Sequence, residues 1–280
     1  MSRTAAWRGT AVAGAALLLS AITGVGPSSA AVNPPPPTVG IASASIAGQG
    51  WLADSRGGVT SFGGAPSYGS AADKPLNGPI VGIASTIGGK GYWVVGQEGG
   101  VFSFGDASFR GSTGGIKLNR TIVGMTPDPV GKQGYWLAAA DGGVFAFDAG
   151  FYGSAGSLPL KAPVVGIAPS REGEGYYLVA SDGGVFAYGG ARFSGSTGSI
   201  NLVQPIVGMA ADPDAVGYLL AAADGGVFAF DADFYGSAAG KLAPGDRVTG
   251  ITVNSDGGYI LGTAKGQTFS YGPPAGTVVS

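Results

Sequence analysis

The sequence predicts an all-β protein, a six-bladed β-propeller built from six four-stranded repeats of 42 residues, and three recurring markers predict it. Val-Gly pairs begin at Val39, Val81, Val123, Val165 and Val207, and Thr249-Gly250 completes the series, each step being 42 residues. An aromatic marker follows in each unit: Gly50-Trp51, GYW from Gly91 and from Gly134, GYY from Gly175, GYL from Gly217 and GYI from Gly258. The third marker is RGGVT from Arg56, EGGVF from Glu98, DGGVF from Asp141, Asp182 and Asp224, and KGQTF from Lys265. Self-similarity at such a period is the signature of a repeat architecture.

Within a unit, VGIA or VGMA predicts a first strand, GYWLVA-like residues a second, GVFAF-like residues a third and FYGSA-like residues a fourth. All four are rich in the β-branched and aromatic residues that suit a pleated surface. Gly, Asp, Ser and Pro separate them. Asp141-Gly142, Asp182-Gly183 and Asp224-Gly225 fall between the second and third strands. Asp-Gly there predicts a tight type I′ hairpin. Along the third strand Phe145 and Phe147 point one way and Val144 and Ala146 the other, so the sheet is apolar on both faces and needs cover on both. Sheets stacked around a ring supply that cover. A glycine in every first strand permits the close backbone approach that an innermost strand requires.

AAADGGVFAFDAGFYGSA from Ala138 returns two units later, from Ala221, with one change, and RGSTGGIKL from Arg110 resembles SGSTGSINL from Ser194. A duplicated pair of units favours an even number, six. The outermost units diverge, with Arg56 and Lys265 in the Asp slot, as terminal repeats do. The last unit is short, so Thr277, Val278 and Val279 are expected to form its fourth strand or to pair with the N-terminal segment. The competing fold is a β-solenoid, whose turns are shorter and whose calcium-binding nonapeptide is missing here.

Residues 1–30 read as a secretory signal peptide: Arg3 and Arg8, an apolar run, then helix breakers and the small residues Ser28, Ser29, Ala30 and Ala31. The run is shorter than the roughly 20 residues that span a bilayer. Residues 31–38 form a Pro-rich linker and residues 39–280 the repeat domain. No later segment is long and apolar enough to cross a membrane. The chain is thus expected to be secreted and to act outside the cell.

Of 280 residues 55 are glycine, 45% are hydrophobic and 11% charged, and the net charge is −2. That balance describes a folding, turn-rich chain rather than a disordered one. No polybasic run exists to displace phosphate counterions, so nucleic acid is not an expected partner. The chain has no cysteine and no histidine. Disulfides, histidine-dependent triads and histidine-ligated zinc are therefore excluded, and no cofactor or metal is expected.

The stretches GYWVVGQEGGVFSFG, GYWLAAADGGVFAFD and GYYLVASDGGVFAYG resemble a repeat of secreted actinobacterial proteins, over residues 38–280. In that family the repeat stands alone or beside cell-wall hydrolases and other secreted enzymes. The resemblance implies an extracellular accessory or binding role and carries no catalytic residue.

Candidate ligand contacts are few. Glu98, Asp141, Asp182 and Asp224 occupy equivalent hairpin turns and would share one face of the ring, as a polar rim or as turn chemistry, which favours Asp without any ligand. Trp51, Trp93, Trp136, Tyr177 and Leu219 share one slot, and Tyr92, Tyr135, Tyr176, Tyr218 and Tyr259 the next. Exposed rings would stack on sugars; inter-sheet packing also consumes large aromatics and is the favoured reading. Ala65-Pro66-Ser67-Tyr68-Gly69 mimics a nucleophile elbow without its helix or histidine. The GSTG strings from Gly111 and Gly195 are weak as phosphate loops. Asp212-Pro213-Asp214 and Asn254-Ser255-Asp256-Gly257 lack the spacing of a calcium loop.

The function expected is a secreted, non-catalytic binding module for cell-wall or extracellular glycan. The alternatives are an extracellular scaffold for a secreted protein partner, and a glycoside hydrolase or lyase using carboxylates alone, with Glu172 and Glu174 or Asp231 and Asp233 as the acids.

Overall fold

The computed structural model describes residues 34–130, 133–171, 173–212 and 216–273. The expected leader, residues 31–33, Glu172, Asp214 and the expected last strand at Thr277, Val278 and Val279 lie outside the described residues. The described chain is all β: eighteen strands form six antiparallel sheets, one per repeat, with no helix. The first sheet holds β1 (Thr38–Ser43), β2 (Gly50–Asp54) and β3 (Val59–Phe62), and the second β4 (Ile80–Ser85), β5 (Gly91–Gly96) and β6 (Val101–Gly105). The third holds β7 (Ile122–Pro127), β8 (Tyr135–Ala139) and β9 (Val144–Phe147), and the fourth β10 (Val164–Pro169), β11 (Gly175–Ala180) and β12 (Val185–Gly189). The fifth holds β13 (Ile206–Ala211), β14 (Tyr218–Ala222) and β15 (Val227–Phe230), and the sixth β16 (Val248–Val253), β17 (Tyr259–Thr263) and β18 (Thr268–Tyr271).

Two expectations need correction. Each sheet has three strands, not four. The FYGSA-like segments carry a glycine at φ between +112° and +140° (Gly69, Gly111, Gly153, Gly195 and Gly236), a conformation that cannot continue a pleated ladder. The hairpin turn is also longer than type I′. In the third unit the Gly142 N–H donates to the Ala139 carbonyl at 2.9 Å and the Ala139 N–H to the Gly143 carbonyl at 2.8 Å. Gly142 has φ +83°, whereas Asp141 is not in the positive-φ region. A turn closed by one left-handed glycine is the three-residue hairpin loop.

The first strands sit side by side. β1 packs on β4, β4 on β7, β7 on β10, β10 on β13, β13 on β16, and β16 on β1. Each first strand carries a register shift just before its glycine, as between Ile80 and Gly82. A Cβ built on Gly82 would lie 3.7 Å from the Gly124 Cα, on Gly166 3.6 Å from Gly208, on Gly208 3.6 Å from Gly250, and on Gly250 3.9 Å from Gly40. One backbone bond repeats at every junction: the first residue of a first strand donates to the preceding unit's second-to-third-strand turn. Ile80 donates to Ser55 at 3.0 Å, Ile122 to Gln97 at 2.8 Å, Val164 to Ala140 at 3.0 Å, Ile206 to Ser181 and Val248 to Ala223 at 2.9 Å, and Thr38 to Ala264 at 3.0 Å.

The core lies between sheets. Each middle strand is buried almost throughout, sending alternate side chains to its two neighbours, as two-faced apolar strands require. Trp51, Ala42 and Ala53 of the first unit meet Ile80, Ile83, Tyr92 and Val94 of the second, and the pattern recurs around the chain. Between the last and first units the layer shrinks to Ile41, Leu52 and Ile260, with Phe62 against them.

The first-strand glycines make a differential prediction. A Cβ on Gly166 would meet Val179 Cγ1 at 3.2 Å, whereas one on Gly124 meets nothing nearer than 3.9 Å. Gly166→Val should lower the denaturant-derived stability by about 1–3 kcal/mol through overpacking, and Gly124→Ala should change it much less. Equal effects would contradict the packing assigned to these glycines.

Candidate functional site

Two features repeat along the chain, the hairpin turns at one end of the strands and an aromatic seam between sheets, and a cavity lies at the other end of the strands. The turns come first, since the sequence singles them out. The Oδ1 of Asp141 accepts the Gly143 N–H at 3.0 Å, and Asp182 and Asp224 do the same with Gly184 and Gly226, each at 3.0 Å. Where Arg56 takes the slot, Asp54 substitutes by accepting the Gly58 N–H at 3.0 Å; at Lys265, the Thr263 hydroxyl accepts the Gln267 N–H at 3.1 Å. Each carboxylate thus holds a backbone amide of its own turn, which is the reason Asp suits such positions. Glu98 is exposed in the equivalent turn.

Trp51, Trp93 and Trp136 have no exposed surface, so as they stand they offer no face to a sugar. Their indoles are structural donors: Trp51 Nε1 bonds the Pro66 carbonyl at 2.8 Å, Trp93 that of Ser108 at 2.8 Å and Trp136 that of Gly150 at 2.7 Å. The tyrosine of the next unit grips the same segment a few residues on. The Tyr135 hydroxyl accepts the Arg110 N–H at 3.1 Å and donates to the Gly111 carbonyl at 2.6 Å. Tyr92 does this to Tyr68 and Gly69, Tyr176 to Tyr152 and Gly153, Tyr218 to Ser194 and Gly195, and Tyr259 to Tyr235 and Gly236. The rings themselves touch across the junction, with centroids 5.4 Å apart for Trp93 and Tyr135 and 5.3 Å for Trp136 and Tyr176.

These clamps present side chains that the sequence reading missed. Phe109, Phe151, Phe193 and Phe234 stand at equivalent places in four successive units, 55–62% exposed. Each directly precedes the residue whose N–H the clamping tyrosine accepts, so backbone freedom is removed while the ring stays in solvent. The first unit has exposed Ser67 there. The signal for exposure was the flanking pattern: small or polar residues and a glycine, where a buried strand would continue with apolar ones.

The cavity, of about 460 Å³, opens among the loops that join first and second strands. Its walls are the ring Ile41, Ile83, Met125, Ile167, Met209 and Ile251, one from each first strand, with Ser43, Ser85, Thr126, Ser170 and Thr252 among its lining. Because Ile122 pairs with Ala139 at the far end of the third sheet, the turns bearing Asp141 and its equivalents lie at the end opposite the cavity. The expected acids and the cavity therefore do not converge.

The remaining candidates scatter. Ser67 is exposed and Glu174, Asp231 and Asp233 are exposed outside the cavity lining. Asp233 accepts the Tyr235 hydroxyl at 3.0 Å. Asn254 Oδ1 accepts the Ser43 hydroxyl of the first unit at 3.3 Å, and Asp256 Oδ1 the Gly258 N–H of its own loop at 3.0 Å, so both are engaged within the protein. Asp212 is buried, next to segment 213–215, which lies outside the described residues. Among the described residues no group of three or more Asp or Glu is arranged to hold a metal ion, and no helix is long and apolar enough to cross a membrane.

Removing the clamp hydroxyl takes away two part-buried hydrogen bonds, to the Arg110 N–H and the Gly111 carbonyl. Tyr135→Phe should cost about 0.5–1.5 kcal/mol in denaturant unfolding, a loss that Tyr152→Phe at the half-buried surface should not match. Burial also pushes the phenols of Tyr92, Tyr135, Tyr176, Tyr177, Tyr218 and Tyr259 above their ordinary value of 10.0, although the backbone N–H bonds pull them the other way. The folded state then holds these protons more tightly than the unfolded state. The stability is complete below pH 10 and falls as pH climbs through the folded values. Absorbance at 295 nm should show these phenols ionising together with loss of the β circular dichroism, and their ionisation at pH 10 in an intact fold would refute the clamp.

No protein-family model matches this chain, and a search of curated proteins finds no significant similarity.

Proposed function

We propose that the chain is a secreted, non-catalytic binding module, a six-bladed β-propeller that holds extracellular or cell-wall glycan at equivalent aromatic sites between its blades. The propeller reading rests on the contact of β16 with β1 and on the Thr38–Ala264 bond, which repeats there the bond made at the other five junctions. In an open solenoid the first and last sheets would stand at opposite ends. The single observation that carries the binding reading is the set of four exposed phenylalanines on clamped backbone. A pyranose face presents C–H groups to the negative face of an aromatic ring, and a rigidly held ring spends little ordering entropy on binding. A polymer that repeats along its length can engage several such sites, and linked sites can raise avidity 10²–10⁴-fold over one.

A second reading, an extracellular protein-interaction scaffold, draws on Ile116, Leu158 and Ile200, exposed at equivalent places in three successive units near the hairpin-turn end. Sedimentation with purified bacterial cell wall, competed by soluble wall fragments, separates the two. Saturable, competed retention is expected. Single Phe→Ala changes at 109, 151, 193 and 234 should weaken it several-fold each and the fourfold variant should abolish it. Stability should stay within about 0.5 kcal/mol, since the rings are exposed. No retention on wall or on a broad glycan panel would overturn the glycan reading, and dependence on Ile116, Leu158 and Ile200 alone would favour the scaffold.

A further inference from the structure

The cavity at the loop end is a different kind of site from the aromatic seams. Its walls carry four isoleucines and two methionines, one from each first strand, all nearly shielded from solvent. A volume of about 460 Å³ lies in the range of pockets that enclose small molecules, roughly 300–1,000 Å³. Water against such walls finds few hydrogen-bond partners, so its release favours an apolar occupant. Among the described residues no aromatic ring lines the cavity, so they offer no stacking surface of the kind a sugar uses. Among the described residues the charged ones in the lining are Arg171 and Asp212, of opposite sign and on successive units, so neither sign of charge predominates there.

One polar group is left over. The residue just after each first strand's apolar end is Ala44, Thr86, Asp128, Ser170, Asp212 or Asn254. Thr86 donates to Asp106 at 2.8 Å, Asp128 accepts the Val130 N–H at 3.0 Å and Asn254 accepts from Ser43. Ser170, only 6% exposed and part of the cavity lining, has a hydroxyl with no hydrogen-bond partner. A buried hydroxyl without a partner costs stability unless a ligand supplies one.

We propose that this cavity is a binding site for a small, uncharged, mainly apolar molecule bearing one hydrogen-bonding group, with the isoleucine–methionine ring taking the apolar body and the Ser170 hydroxyl meeting the polar group. The site is separate from the glycan sites, and its test does not depend on them.

The chain contains a built-in reporter. Of its three methionines, Met125 and Met209 both belong to the cavity wall. The protein labelled with [¹³C-methyl]methionine is titrated with 1-adamantanol, a neutral apolar cage with one hydroxyl, and in parallel with adamantane-1-carboxylate and glucose. Met125→Leu and Met209→Leu assign the resonances. Adamantanol should shift both methyl signals saturably, the carboxylate at least ten-fold more weakly, and glucose not at all. Ser170→Ala should weaken adamantanol binding by about five- to ten-fold, one lost hydrogen bond, without lowering the melting temperature, because no protein bond is lost. Ile167→Trp should fill the cavity and remove the shifts; if that variant does not fold, the Ser170→Ala result decides. Methyl signals that stay still or drift linearly to the solubility limit would overturn the proposal, as would saturable shifts by glucose or unchanged adamantanol affinity in Ser170→Ala.

Discussion

The contact on which the rest depends is the packing of six first strands, each against the next and β16 against β1. Gly40, Gly82, Gly124, Gly166, Gly208 and Gly250 follow one another along these contacts: a Cβ on Gly40 would crowd Ile83 N at 3.2 Å and one on Gly250 would crowd Ile41 Cγ2 at 3.3 Å, whereas on Gly82, Gly166 and Gly208 it would reach the next glycine at 3.6–3.7 Å. The extra residue inserted before each glycine turns the strand at that place, as a bulge does. The first residue of the strand is thereby aimed at the turn of the preceding unit, where its N–H finds a carbonyl. Close approach and the junction bond are therefore one device. A larger residue at the contact would push neighbouring strands apart and lengthen the bond as well.

Between the sheets, large side chains fill the space beside the first strands. Trp from one unit and Tyr from the next meet there, and together they hold the intervening segment by its backbone carbonyls and amides. This arrangement does the work that a fourth strand would do, with side chains in place of a ladder. The slots vary along the chain. Tyr177 replaces Trp and its hydroxyl accepts the Arg192 N–H at 3.1 Å, while Leu219 and Ile260 are aliphatic and only pack. At the junction of last and first units Gly50 takes the tyrosine position, paired with Phe62, and the apolar layer is the smallest of the six. That junction leans instead on polar bonds: Ser43 N–H to Thr252 Oγ1 at 3.1 Å and Ser43 Oγ to Asn254.

The same geometry separates the molecule's surfaces. Antiparallel pairing sends the hairpin turns to one end and the first-to-second-strand loops to the other, so acids and cavity lie apart. Clamping places the phenylalanines in the seams. Multiple equivalent seams suit a repeating polymer, whereas a single cavity suits one small molecule, and the two proposals follow that difference in multiplicity.

The all-β class, the number of units and the close approach of the Val-Gly strands were legible in the sequence, because each follows from periodicity or from a residue without Cβ; the cover on both faces expected of the third strand falls instead on the middle one, which is buried throughout where the third is mostly half-buried. The turn acids were legible as turn residues for a similar reason: an Asp oxygen finds its partner two residues away. What depends on distant partners was not legible. Whether FYGSA continues a ladder is decided by the glycine at φ +126° and by Tyr176 and Trp136, which belong to two different units. Tryptophans and phenylalanines have the same propensity for a strand or a sugar, so only the neighbouring sheet shows that Trp93 is enclosed and Phe109 is not. The cavity has no local motif at all, since its wall takes one residue from each of six strands. Local chemistry and spacing determined the units, and the meeting of units decided which side chains remain available for binding.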